Sequence, residues 1–146
     1  TLGQTNPEVF VDPPLRTDLP PHHAEPMGAL LALLGALYED RVQAVLARGG
    51  LLSYASILDG SAFYVPHDAI VPGWLEVGDV SDLVSALAPL PVNLQALVDG
   101  RNRLVDQQRL NKEFNLARLA YEETPESLQL APPDVDIGEW LGSCLD

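Results

Sequence analysis

The chain has 146 residues, 47% of them hydrophobic, which suits one folded domain and excludes a wholly disordered chain. Lys and Arg total 8 against 21 Asp and Glu, a formal net charge of −13 that argues against nucleic-acid and anionic-membrane partners. The single cysteine, Cys144, excludes an internal disulfide framework, and the longest apolar run, 12 residues from Met27 to Tyr38, is shorter than the ~20 a spanning helix needs, so no membrane insertion is expected.

Residues 1–26 read as a Pro-rich N-terminal arm. Prolines at 7, 13, 14, 20, 21 and 26 block regular ladders, and only Val9, Phe10 and Val11 offer a short strand. The arm lacks the apolar core of a signal peptide, and a first residue of Thr rather than Met is expected of a chain that was processed, trimmed or truncated. Residues 27–38 (MGALLALLGALY) are predicted as a helix. It is apolar on every face, so burial on most sides is expected.

A polar corner at Glu39, Asp40 and Arg41 leads to VQAVL, residues 42–46, predicted as a buried strand that Gly49 and Gly50 end. Residues 51–80 read as loop, punctuated by Gly60, Pro66, Pro72, Gly73 and Gly78. Asp79 or Ser81 can cap a short helix over 82–88, stopped by Pro89 and Pro91. VNLQALV, residues 92–98, is predicted as a second buried strand, followed by an Asp99-Gly100 turn. Asp106 can cap a helix over 107–122, with Leu110, Phe114, Ala117 and Tyr121 along one face. SLQLA (127–131) reads as a third strand. IGEWLGSCL (137–145) reads as a last helix, with Ile137, Trp140, Leu141 and Cys144 on one stripe. Helices alternating with strands predict an α/β fold, a three-layer parallel sheet flanked by helices.

Few residues cluster in a way that suggests chemistry. His22, His23 and Glu25 are the densest ligand set, but adjacent histidines in an extended arm point to opposite sides, so a solvated pair is expected and no metal or cofactor. His67-Asp68 reads as loop. Thr1 reads as a chain boundary rather than a terminal nucleophile. Cys144 reads as a buried structural thiol. Arg101, Arg103, Arg109, Lys112 and Arg118 interleave with Glu113, Glu122 and Glu123 as a salt-bridged surface, with an acidic partner as the other option. Trp74 and Trp140 read as core or loop anchors.

Two strings carry a family resemblance. AEPMGALLALLGALYEDRVQAVL (24–46) resembles a segment of acetylxylan-esterase and dienelactone-hydrolase-like proteins that runs GESMGA, helix, strand. DVSDLVSALAPLPVNLQALVDGRNRLV (79–105) is similar to the same group's short helix, AP-x-P corner, strand and acid-bearing turn. The resemblance covers residues 27–146 and implies the C-terminal half of an α/β-hydrolase.

It also implies a degenerate triad. The nucleophile position falls on Pro26, which has neither hydroxyl nor thiol, and the preceding elbow glycine falls on Ala24. Gly28 is retained. The acid position falls on Asn102, flanked by Asp99 and Asp106, which read as a turn residue and a helix cap. No histidine follows His67; Asp134 and Asp136 stand where a His-bearing loop is expected.

A complete fold of this type has about eight strands, and the chain supplies three. Residues 27–146 therefore read as a truncated α/β-hydrolase-like domain with an open side. A protein partner or homodimer is expected there, against Met27, Leu30, Leu31, Leu34, Val42 and Val45. The function so implied is a non-catalytic, hydrolase-derived subunit or scaffold. The alternative is part of a carboxylic-ester hydrolase whose nucleophile-bearing half lies on another chain.

Overall fold

The computed structural model describes residues 22–60, 63–131 and 137–145. Most of the expected arm and residues 132–136, with Asp134 and Asp136, lie outside the described residues. The chain has mixed α/β character. Helix α1 (Met27–Tyr38) leads to strand β1 (Val45–Arg48), helix α2 (Val80–Ala86) to β2 (Val92–Gln95), and helices α3 (Gln107–Glu113) and α4 (Asn115–Ala120) to β3 (Leu128–Ala131). Helix α5 (Ile137–Leu145) follows. The strands form an open, all-parallel sheet in the order β1-β2-β3.

Register sorts the side chains into two rows. Val45, Val92 and Leu128 lie side by side, as do Ala47, Leu94 and Leu130, and these face one continuous core. Helices α1, α2, α3 and α4 supply the other side of that core. Leu110, Phe114, Ala117 and Tyr121 are all buried in it, the face their spacing predicts. Each such large side chain contributes about 1.5–3 kcal/mol by leaving water. The alternate row carries Leu46, Asn93 and Gln129, then Arg48, Gln95 and Ala131, on the opposite sheet face.

Several boundaries differ from the sequence reading, each for a local reason. The first strand is 45–48, not 42–46, because the Val42 N–H closes a turn onto the Glu39 carbonyl and is withdrawn from the ladder. Helix α2 starts at Val80, not at 82. The Asp79 carboxylate accepts from Val80 N–H while Asp82 accepts from Asp79 N–H, a reciprocal cap that sets the start. Strand β2 ends at Gln95, not 98, because Ala96 has φ +49 and turns the chain. Val98 then makes single bridges to Leu51 and Leu104. The helix expected over 107–122 is interrupted at Phe114 (φ −91, ψ 21). Ser127 belongs to a tight turn, so β3 begins at Leu128.

Helix α1 is the largest correction. Only Ala29, Leu30 and Leu33 are buried, while Leu31, Leu37 and Tyr38 are exposed. It lies against β1 and α2 on one side, so its uniform apolar composition exceeds what the described fold covers. Leu141 of α5 is likewise exposed, although Trp140 is buried as expected. Among the described residues, no helix is long and apolar enough to cross a membrane.

Candidate functional site

The segment entering α1 and the turn leaving β2 meet, and this junction is the candidate site. Pro26 occupies the N-cap of α1 with helical dihedrals (φ −66, ψ −16), and its carbonyl accepts the Leu30 N–H at 3.1 Å. Proline suits a helix start, where its missing N–H forfeits no intrahelical bond. Its ring is fully buried. It forms one wall of a cavity of about 20 Å³ shared with Leu33, Ala47, Leu51, Tyr54 and Leu94. That is room for about one water, and the lining is almost wholly apolar.

The Asp99–Arg103 turn is built by Asp99. Its Oδ1 accepts from the N–H groups of Arg101 (2.9 Å) and Arg103 (3.0 Å), and its own N–H donates to the Arg103 carbonyl. This places Asn102 at φ +56, a left-handed conformation that Asn tolerates better than most residues. The Asn102 side chain turns inward and is buried. Its Oδ1 accepts from Ala24 N–H (2.9 Å), and its Nδ2 donates to the carbonyls of Ala24 (3.0 Å) and Tyr64 (3.2 Å). The Asn102 carbonyl accepts the His22 N–H at 2.6 Å. One carboxamide thus ties the segment before α1, the loop at Tyr64 and the turn after β2 together.

Neighbouring acids have structural partners. Asp99 Oδ2 lies 3.6 Å from Arg109, which also pairs with Asp59 at 2.9 Å. Asp106 caps α3 by accepting the Arg109 N–H at 2.8 Å. His22 and His23 are exposed, and His67 is exposed in a short turn, its ring in a T-shaped contact with Phe63. Among the described residues, no three His, Cys, Asp or Glu side chains converge as a metal site. Cys144 is half-buried on α5.

The expected partner face is divided. Leu30 and Val45 lie in the chain's own core, because α1 packs on β1 through them, and so are not available to a partner. Leu31 is exposed, while Met27, Leu34 and Val42 are partly buried at the core's margin.

Polar groups the sequence reading passed over sit deep in the fold. Asn93 and Gln95, on central strand β2, are fully buried. Asn93 Nδ2 donates to Gln129 Oε1 at 3.1 Å, while Asn93 Oδ1 and both polar atoms of Gln95 have no hydrogen-bond partner among the described residues. Their signal was the alternation in VNLQ, which marks a strand with two unlike faces. Asp79 also does more than cap: its carboxylate accepts from Tyr54 N–H (2.7 Å) and Ala55 N–H (3.1 Å), anchoring the loop after β1. Tyr54 stacks on Trp74 with ring centroids 5.1 Å apart, and its hydroxyl donates to the Ala69 carbonyl. Burial, then the negative charge of Asp79, raises the Tyr54 hydroxyl above its ordinary pKa.

No protein-family model, curated protein or solved structure matches the chain.

Proposed function

We propose that the chain is a non-catalytic subunit of α/β-hydrolase descent that acts through protein contacts. The observation that carries this reading is the junction of Asn102 with Ala24. At the two positions that the family resemblance assigns to acid and nucleophile, the side chains are a carboxamide engaged by backbone groups and a buried proline ring. Neither can attack an acyl carbon or stabilise an imidazolium. Triad members act as a unit, so loss of all of them leaves at most a small residual rate.

The alternation of helices with strands and the parallel sheet support the descent. The exposed side chains of Leu31, Leu37 and Tyr38 support a contact role for the outer face of α1. The test is hydrolysis of short-chain nitrophenyl esters by the purified chain. Turnover no greater than that of a heat-treated control is expected. Turnover well above it, and abolished by a serine-reactive phosphonate, would overturn the reading.

A further inference from the structure

The outer face of α1 has a helical period. Gly28, Leu31, Ala32, Gly35 and Tyr38 are all exposed, at i, i+3, i+4, i+7 and i+10. A Cβ at Gly28 or Gly35 would meet nothing within 4 Å. Another backbone can therefore come close beside the projecting Leu31 and Tyr38, which are 58% and 86% accessible. The helix itself carries no charged side chain.

The surroundings of this face are negative. A helix C-terminus carries partial negative charge and is stabilised by cations, yet the last turn of α1 has none, and the acids Glu39 and Asp40 follow it. Arg41 is held by Glu39 at 3.0 Å, so it offsets that acid, while Asp40 is exposed and has no ion pair among the described residues. The almost fully exposed ring of Tyr38 stands at the same end, and aromatic faces attract cations. The elements packed beside α1 are the short turn His67–Ala69 and α2, with Asp68 and Asp82 exposed on them. Both belong to the stretch from Gly49 to Gly100, which has no Lys or Arg.

We propose that the outer face of α1 binds a cationic amphipathic helix of another protein. Its apolar side lies along Leu31, Ala32 and Gly35, and a Lys or Arg sits at the C-terminal end of α1 by Tyr38 and Asp40. A second copy of the chain is the wrong occupant. A parallel contact would set Asp40 against Asp40, an antiparallel one Asp40 towards Glu25, and each copy brings a net charge of −13. The inference rests on the contact role proposed for this face and names the chemistry of its partner.

The test is fluorescence anisotropy of labelled amphipathic peptides of about 16 residues, titrated with the full chain, with leucines along one face and charged residues along the other. The leucine–lysine peptide should bind. Its leucine–glutamate counterpart should bind at least about tenfold more weakly, as should a leucine–lysine peptide shuffled so that no apolar face forms. Leu31→Gln should weaken the leucine–lysine peptide by about tenfold and Asp40→Asn by at least about threefold. Glu122→Gln removes an equal charge in the turn after α4 and should leave binding within about twofold. All three positions are exposed, so circular dichroism of the variants should match the parent. No binding of the leucine–lysine peptide would overturn the proposal. So would equal binding of the shuffled peptide, or equal losses in Asp40→Asn and Glu122→Gln, since overall charge would then account for the effect. Tighter binding of the leucine–glutamate peptide, or self-association of the chain that Leu31→Gln abolishes, would keep the contact role of α1 and refute the cationic partner. Binding that Leu31→Gln leaves unchanged would remove the contact role as well.

Discussion

Asn102 engages backbone groups through every polar atom it has: its N–H donates to Asp99, its carbonyl accepts from His22, and its carboxamide accepts from Ala24 and donates to Ala24 and Tyr64. The donor half of that carboxamide has no substitute in a carboxylate. Asn102→Asp, the change that would restore an acid at this position, should therefore destabilise the fold by about 2–4 kcal/mol at neutral pH, because an ionised oxygen would face two carbonyls in a buried site. Protonation supplies a donor again, so the folded state raises the pKa of the new carboxyl above its unfolded value. The deficit relative to the parent should be smallest below about pH 4 and grow as pH rises. Urea titrations at both ends of that range measure it, and an equal deficit throughout would contradict the hydrogen-bond assignment. Tyr121 gives an alkaline counterpart. Its hydroxyl donates to the Leu90 carbonyl at 2.8 Å, and burial pushes it up to about 12. The folded value lies above the unfolded value of about 10, so the stabilisation is fully present below about pH 10 and is lost as pH rises toward 12. Tyr121→Phe should cost about 1 kcal/mol at neutral pH and show a shallower decline than the parent over that alkaline window. An equally steep decline in urea midpoints would place the titrating group elsewhere.

At the scale of elements, strand β2 holds a conflict between burial and polarity. Its core row, Val92 and Leu94, is satisfied by packing, but Gln95 is fully buried with neither polar atom paired among the described residues. Replacing an unpaired buried amide by an apolar side chain of similar size removes a desolvation cost of about 1–3 kcal/mol. Gln95→Leu should accordingly raise the urea midpoint, and a lower midpoint would mean that the amide has a partner it needs. The same strand shows what sequence pattern conveys and what it does not. Parallel pairing and the helix–strand alternation were legible, as was the buried stripe of α3 and α4, because each follows from local periodicity. The apolar run of 92–98 did not reveal its stop, since the turn at Ala96 depends on a backbone conformation that no alanine advertises. Likewise Phe114 sits at an interruption between α3 and α4, although nothing in QQRLNKEFNLARLA marks a break. The cap at Asp79 was readable, whereas its hold on Tyr54 and Ala55 was not, because those partners are distant in sequence. At the candidate site the identities of Pro26 and Asn102 were legible. Their meeting through Ala24 required the fold.

For the whole molecule, the described fold leaves apolar side chains of α1 uncovered and encloses no ionisable or nucleophilic side chain at the junction of Ala24, Pro26 and Asn102. Both features fit the proposal that this chain contributes surfaces rather than bond-making groups. The most direct test is to supply the missing hydroxyl and ask whether anything activates it. Pro26→Ser places a serine at the start of α1, two residues after the Ala24 backbone that the Asn102 carboxamide holds, with no histidine among the groups that hold the junction by their side chains. After incubation with a serine-reactive phosphonate, the intact mass of this variant should equal that of the untreated protein, as triad members fail when isolated. A stoichiometric adduct mapped to residue 26 would reveal a general base within reach and contradict the account.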